Sequence, residues 1–409
     1  MKWNRFLHLS LLCLIVLVST MAPRHAGAAA PGVRVLYSFS GGADGQNPDC
    51  ELIADNLGSI YGTTVEGGLY SSGTVFELTT TPVHHAVLYN FTGGSDGAQP
   101  YGGLVMDGFG NLYGVTKAGG NSSCPGGCGV IYELKKSGNT YSYVTLHAFT
   151  GGRDGSNPVG QLVIYQYHPD KFALYGTTTT GGTQAFGTVY ELKQDDSASW
   201  KLSVLHTFTG GQDGAGGTSL WETHRHLFGV SSVGGANANG SIFDLAVSAG
   251  SWQFGNYYSF VGPNDGASPV GGVTSFETFY GSAYSGGTYG QGTIYEFQWG
   301  SGAKAIHNFT GLSDGGNPLA HPATDDSGLL YGTTSSGGDP NCNCGTIFRL
   351  SANGKGGWTF NTAYQFPGAP GPGRARNGLY VFGGIGNTMY GTTVDGGESN
   401  HGTIYQFMP

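Results

Sequence analysis

Six aspartates recur at a regular interval, Asp44, Asp96, Asp154, Asp213, Asp265 and Asp314, each inside a turn typified by Gly93-Gly94-Ser95-Asp96-Gly97. A carboxylate repeated in one local setting has three readings. It can cap its own turn, with the following glycine taking positive φ. It can enter a calcium site, which gathers about six to eight oxygens at one point; Asn47, Asn157 or Asn317 and nearby carbonyls would have to complete the set. Or it can touch a ligand once per repeat. Turn capping is preferred, because one Asp per repeat supplies few ligands. No cofactor or metal is therefore expected, and calcium is the alternative.

The last repeat departs from this pattern: Pro367-Gly368-Ala369-Pro370-Gly371-Pro372-Gly373-Arg374-Ala375-Arg376 holds no Asp. Arg374 and Arg376 are read as counter-charges in a ring of aspartates. The alternative is a grip on an anionic ligand, since guanidinium forks match carboxylates. In the fourth repeat, Trp221-Glu222-Thr223-His224-Arg225-His226 brings two histidines beside a Glu. Acid–base or metal chemistry is conceivable there, but the hairpin belongs on the face opposite the Asp turns, where such residues are commonly just exposed. Cys124 and Cys128, and Cys342 and Cys344, read as loop disulfides, with zinc as the alternative; Cys50 is left as the odd thiol. Gly-x-Ser-x-Gly occurs only inside the repeat turns, at Gly93–Gly97 and Gly311–Gly315, where no strand-to-helix nucleophile elbow is expected, and there is no His-Glu-x-x-His or phosphate loop.

What positions these groups is a repeat. An aromatic-ending segment leads into the Asp-Gly turn and a short apolar run. An aromatic-Gly step such as Tyr61-Gly62-Thr63-Thr64 follows, then a strand such as Gly73-Thr74-Val75-Phe76-Glu77-Leu78. The aromatic-Gly step returns at Gly62, Gly114, Gly176, Gly229, Gly281, Gly332 and Gly391, a period of roughly 50 to 60 residues that marks a repeat array. The second repeat shows four strand signals, over 103–107, 111–116, 130–135 and 143–149, separated by Gly and Asn. No 3.6-residue apolar period persists beyond the start of the chain. The expected fold is all-β: a seven-bladed β-propeller with four antiparallel strands per blade, occupying residues 29–409. The last repeat lacks a fourth strand, and residues 33–39 supply it, so the N-terminal strand should close the ring as the outermost strand of the last blade. A solenoid, the alternative, would need polar capping repeats, and none is visible. The three recurring aromatic positions are read as packing between blades rather than as sugar platforms.

Residues 1–28 read as a secretory signal: Lys2 and Arg5, an apolar run over 6–20, and the small-residue site Ala26-Gly27-Ala28. A secreted, extracellular or cell-envelope location is expected, with no membrane span once the signal is removed. Without Lys2, Arg5 and Arg24 the balance is 14 basic against 26 acidic side chains, which disfavours nucleic acid as a partner.

Taken together, the aromatic-Phe strand, Gly-Gly-x-Asp-Gly-x-x-Pro, Asn-Leu-Tyr-Gly, and Gly-Thr-Val-Tyr-Glu-Leu resemble the GloVer tandem-repeat proteins over residues 33–409. Leu146-His147-Ala148-Phe149 is similar to the "HAF" extracellular repeats. The resemblance implies bacterial export and a repeat β fold, and carries no activity with it. The family habit of a C-terminal anchor is not seen here.

The functional expectation is a binding or interaction module for an extracellular glycan or protein. On this reading the Asp turns and the Gly-Gly loops share one face, which is the candidate ligand surface. A propeller polysaccharide hydrolase or lyase is the second reading and a structural envelope protein the third. A non-repeating acidic pair in the central funnel would favour the enzyme; equivalent pockets between blades would favour the binder.

Overall fold

The structure, a computed structural model, describes residues 32–409 except 170, 196, 198, 224–225, 249, 275–277, 299 and 383–387. The expected signal segment, residues 1–28, lies outside the described residues. Seven antiparallel sheets are arranged as blades. The first pairs Ile53–Ala54, Ser59–Thr64, Thr74–Thr80 and Val83–Asn90 in sequence order. The second uses Val105–Met106, Leu112–Ala118, Val130–Ser137 and Thr140–Ala148, so its innermost strand is shorter than the sequence suggests; a short extra strand, Ala98–Pro100, precedes it. The chain is a seven-bladed β-propeller, and no helix occurs among the described residues.

The last sheet closes the ring as expected. Gly32–Ser38 pairs antiparallel with Thr403–Met408, in the order Gly32–Ser38, Thr403–Met408, Met389–Thr393, Tyr380–Val381. Val33 faces Phe407 and Val35 faces Tyr405.

One aromatic contact joins each blade to the next. The Phe ending each fourth strand packs edge-on against the aromatic of the next blade's third strand. The pairs are Phe39–Phe76, Phe91–Tyr132, Phe149–Tyr190, Phe208–Phe243, Phe260–Tyr295, Phe309–Phe348 and Phe366–Tyr405, with centroids between 5.0 and 5.5 Å. Every member is at most 1% exposed. The aromatic-Gly step follows from this layer: a Cβ at Gly62 would lie 2.6 Å from the Phe76 ring, and one at Gly229 2.4 Å from Phe243. The glycine exists to admit the ring.

Each fourth strand carries a bulge at the same place, at Leu36, Leu88, Leu146, Leu205, Tyr257, Ile306 and Ala363. A bulge re-aims the residue beside it. Here the next residue is Tyr37, Tyr89, His147, His206, Tyr258 or His307, and it is turned toward the Asp turn.

Candidate functional site

Each of the six aspartates folds back onto its own turn. Asp44 accepts hydrogen bonds from the Ser40 N–H (2.8 Å), the Ser40 hydroxyl and the Tyr37 hydroxyl (2.9 Å). Asp96 does the same with Thr92 and Tyr89. In Asp154, Asp213 and Asp314 the partners are Thr150, Thr209 and Thr310, with His147, His206 and His307 at 3.2, 3.0 and 3.3 Å. Asp265 takes two backbone N–H groups and Tyr258. Burial pushes the His206 and His307 imidazoles down despite the facing carboxylates. The following glycines have φ between 89 and 105°, and a Cβ at Gly45 would strike Thr64 Oγ1 at 2.2 Å. This geometry is that of turn caps. A signal for it is visible in the sequence as Tyr or His seven residues before each Asp. Asn157 and Asn317 also work locally, donating to the Lys117 and Tyr284 carbonyls and accepting from Thr180 and Ser336. Among the described residues no group of three or more His, Cys, Asp or Glu is arranged to hold a metal ion.

The Asp turns and Gly-Gly loops do share a face: the Gly68 and Gly120 N–H groups donate to the Gly42 and Gly94 carbonyls. Arg374 and Arg376 pair with acids outside the series of six. Arg374 binds Asp395 through Nε and Nη2 (both 2.6 Å), and Arg376 Nη1 lies 3.2 Å from Asp49. In the fourth-blade hairpin, His226 Nδ1 meets the buried Asp244 at 2.7 Å; His224 and Arg225 lie outside the described residues. Burial raises the Asp244 carboxyl, outweighing His226. Cys124–Cys128 and Cys342–Cys344 are disulfides, and Cys50 is a free buried thiol, pushed up to about 12 by burial.

The least repetitive chemistry lies on the axis. A cavity of about 490 Å³ is lined by residues from all seven blades, at the start of each innermost strand. Locally this is the stretch after the repeat's proline, where Pro48, Pro100, Pro158, Pro269 and Pro318 are followed by Asp49, Tyr101, Val159, Val270 and Leu319. Two residues on, the first, third and sixth repeats place Glu51, Gln161 and His321. The funnel wall is held from behind by second-strand hydroxyls: Thr63 donates to the Gly102 carbonyl, Thr177 to Gly217, Ser282 to Ala320, Thr333 to Asn377 and Thr392 to Cys50. The last of these crosses the ring closure.

Both funnel acids are paired. Asp49 Oδ1 accepts from Asn377 Nδ2 at 2.8 Å while Oδ2 faces Arg376. Glu51 Oε1 lies 3.4 Å from His321 Nε2, each side chain about a quarter exposed (27% and 26%). Burial would raise Glu51, but the His321 charge and hydrogen bond outweigh it and hold the carboxyl below its ordinary range. The same pairing outweighs burial at His321 and lifts its imidazole. Tyr101 is pushed up to about 12 by burial and by Asp49, and Lys117 Nζ sits 5.4 Å from its ring centroid. Sequence reasoning singled out Arg376 but missed Asp49, Glu51, Tyr101, Lys117 and His321. The signal available was the variability of the post-proline positions among otherwise similar repeats. Other cavities lie off the axis: one of about 660 Å³ near Arg374 and the Cys342–Cys344 loop, and two at matching places between neighbouring blades, of about 540 Å³ near Tyr390, Gln406 and Ser59 and about 340 Å³ near Tyr175, Glu191 and Glu222.

Among solved structures, the fold is similar to a protein described as a hypothetical selenium-binding protein from Sulfolobus tokodaii, with 12% identity, 74% of each chain covered and a TM-score of 0.50. It is also similar to a candidate 6-phosphogluconolactonase from Bacteroides uniformis, with 14% identity, 81% of this chain and 88% of that one covered and a TM-score of 0.51. At these identities the likeness shows the propeller fold alone. No curated protein matches the sequence. The model of the Gloeobacter/Verrucomicrobia repeat matches residues 25–168, 125–341 and 216–409. With three overlapping matches spanning every blade, the chain belongs to the Gloeobacter/Verrucomicrobia repeat family.

Proposed function

We propose that this repeat protein is an exported binding module that holds an extracellular carbohydrate in its axial funnel. One observation carries the reading: repeats alike in their turns, glycines and aromatic layers differ from one another along the funnel wall. A structural need common to seven blades explains the shared residues. The funnel residues answer to something that meets all the blades at once. The wall combines Tyr101 and Trp221 with Gln161, Thr218 and Asn377, a mixture of aromatic and polar groups suited to a sugar. The nearby Asp turns and Arg374 would then shape the rim.

A polysaccharide hydrolase or lyase is the second reading, favoured by the non-repeating acids Asp49 and Glu51 in the funnel. Against it, a general-acid carboxylate needs a raised pKa, and the Glu51 carboxyl is shifted the other way. Both Asp49 oxygens are also engaged. A glycan panel with binding and product release followed together tests both readings. Retention that falls with Trp221→Ala supports the module, and new chain ends would establish the enzyme. Silence across the panel would turn attention to a protein partner or a structural role.

A further inference from the structure

The funnel's ion pairs leave one cation over. Lys117, Arg376 and His321 face Asp49 and Glu51, in a chain whose formal net charge is −9. Lys117 makes no ion pair among the described residues; its ammonium rests over the Tyr101 ring. Arg376 uses Nη1 on Asp49, yet its side chain remains 43% exposed, so other N–H groups of the guanidinium are available. His321 is raised toward its charged form by Glu51. An unpaired cation in a concave site of an acidic protein is where the anionic group of a ligand gains most.

We propose that the funnel selects a sugar acid, its carboxylate seated between Lys117 and Arg376 beside Tyr101. A neutral sugar would leave the Lys117 ammonium desolvated and unmatched, whereas a carboxylate gains charge-assisted hydrogen bonds from two cations. The proposal rests on the funnel-binding reading above and narrows its ligand to uronic-acid chemistry, free or at the end of a chain.

The test is calorimetric titration of the intact chain with a uronic-acid oligomer, its carboxyl-reduced neutral counterpart and the free monomer. The acidic oligomer should bind about tenfold or more tighter than the neutral one, the scale of one charge-assisted hydrogen bond, and weaken with added salt. Lys117→Met should erase that preference. Lys117→Arg should retain it, and Lys136→Met, which removes a comparable cation over Tyr141, should leave it unchanged. Comparable binding by the monomer would identify a free sugar acid as the ligand; binding by the oligomer alone would identify a chain end. Equal affinity for acidic and neutral oligomers overturns the sugar-acid proposal while the funnel reading stands. Binding of neither, by protein with an unchanged melting curve, overturns both.

Discussion

Replacing Asp44 by Ala separates the turn-cap role of the aspartates from a calcium role. The carboxylate receives three donors, the Ser40 N–H, the Ser40 hydroxyl and the Tyr37 hydroxyl. Tyr37 lies on the ring-closing strand Gly32–Ser38, so the substitution also loosens the last blade. At a partly exposed site the freed donors can reach water, so each bond contributes about 1 kcal/mol and the total loss is about 2–3 kcal/mol. Burial would raise the Asp44 carboxyl, but these hydrogen bonds outweigh it and hold it below its ordinary 3.8. A depressed carboxyl contributes stability that is complete above the unfolded-state pKa of about 3.9 and is lost as pH falls through the folded value. Urea midpoints of the wild-type and Asp44→Ala chains at neutral pH should therefore differ by that amount at equal slope. The gap should close in acid and be the same in calcium as in chelator. A neutral-pH gap under about 0.5 kcal/mol, or one that widens on acidification, would refute the capping argument. A wild-type midpoint that rises in calcium, with the rise abolished by the substitution, would make the Asp a ligand.

Deleting residues 32–38 leaves Thr403–Met408 as an open sheet edge and should lower the melting temperature by on the order of 10 °C or more; an unchanged melt would mean that the ring does not depend on closure. Phe91→Ala, at a wholly buried junction between blades, should cost about 3–5 kcal/mol, whereas Phe109→Ala, 63% exposed, should cost under about 0.5 kcal/mol in the same denaturation assay. By NMR titration His321 should show a midpoint above its ordinary 6.5, and Glu51→Gln should lower it. The raised imidazole contributes stability below about 6.5 that is lost as pH rises through its folded value. The depressed Glu51 contributes above about 4.3, so the pair is fully effective between those limits. A His321 midpoint indifferent to Glu51→Gln would break the pairing argument.

The architecture was legible because the information that fixes it is repeated. Each aromatic-Gly step is the sequence trace of a ring, such as Phe76 or Tyr132, that needs the space of a missing Cβ. The orphan strand before Phe39 and the absent fourth strand in the last repeat identified each other. The bulge that turns Tyr37 or His147 onto the Asp was not legible: one extra residue shifts the side-chain alternation by a step, but the fourth strands are part-buried on both faces, so the shift leaves little mark. The funnel was less legible still. Asp49 and Arg376 stand more than three hundred positions apart in the chain and meet at 3.2 Å only because the first and last blades are neighbours. A search for recurring residues passes over Asp49, and Arg376 stands out only because its turn lacks the recurring Asp.

Ring closure also imposes an order in time. Gly32–Ser38 is the first strand of the propeller to be synthesised and pairs with Thr403–Met408, nearly the last. At about 5–20 residues per second the wait is on the order of tens of seconds, during which the early strand has no partner while blades accumulate behind it. A chain halted before Thr403 would hold six complete sheets, an unpaired Gly32–Ser38 and a two-stranded remnant of the last blade whose Met389–Thr393 edge lies open. The final pairing thus acts as a check on completeness, and a fragment would be marked for proteolysis or aggregation by its own open edges.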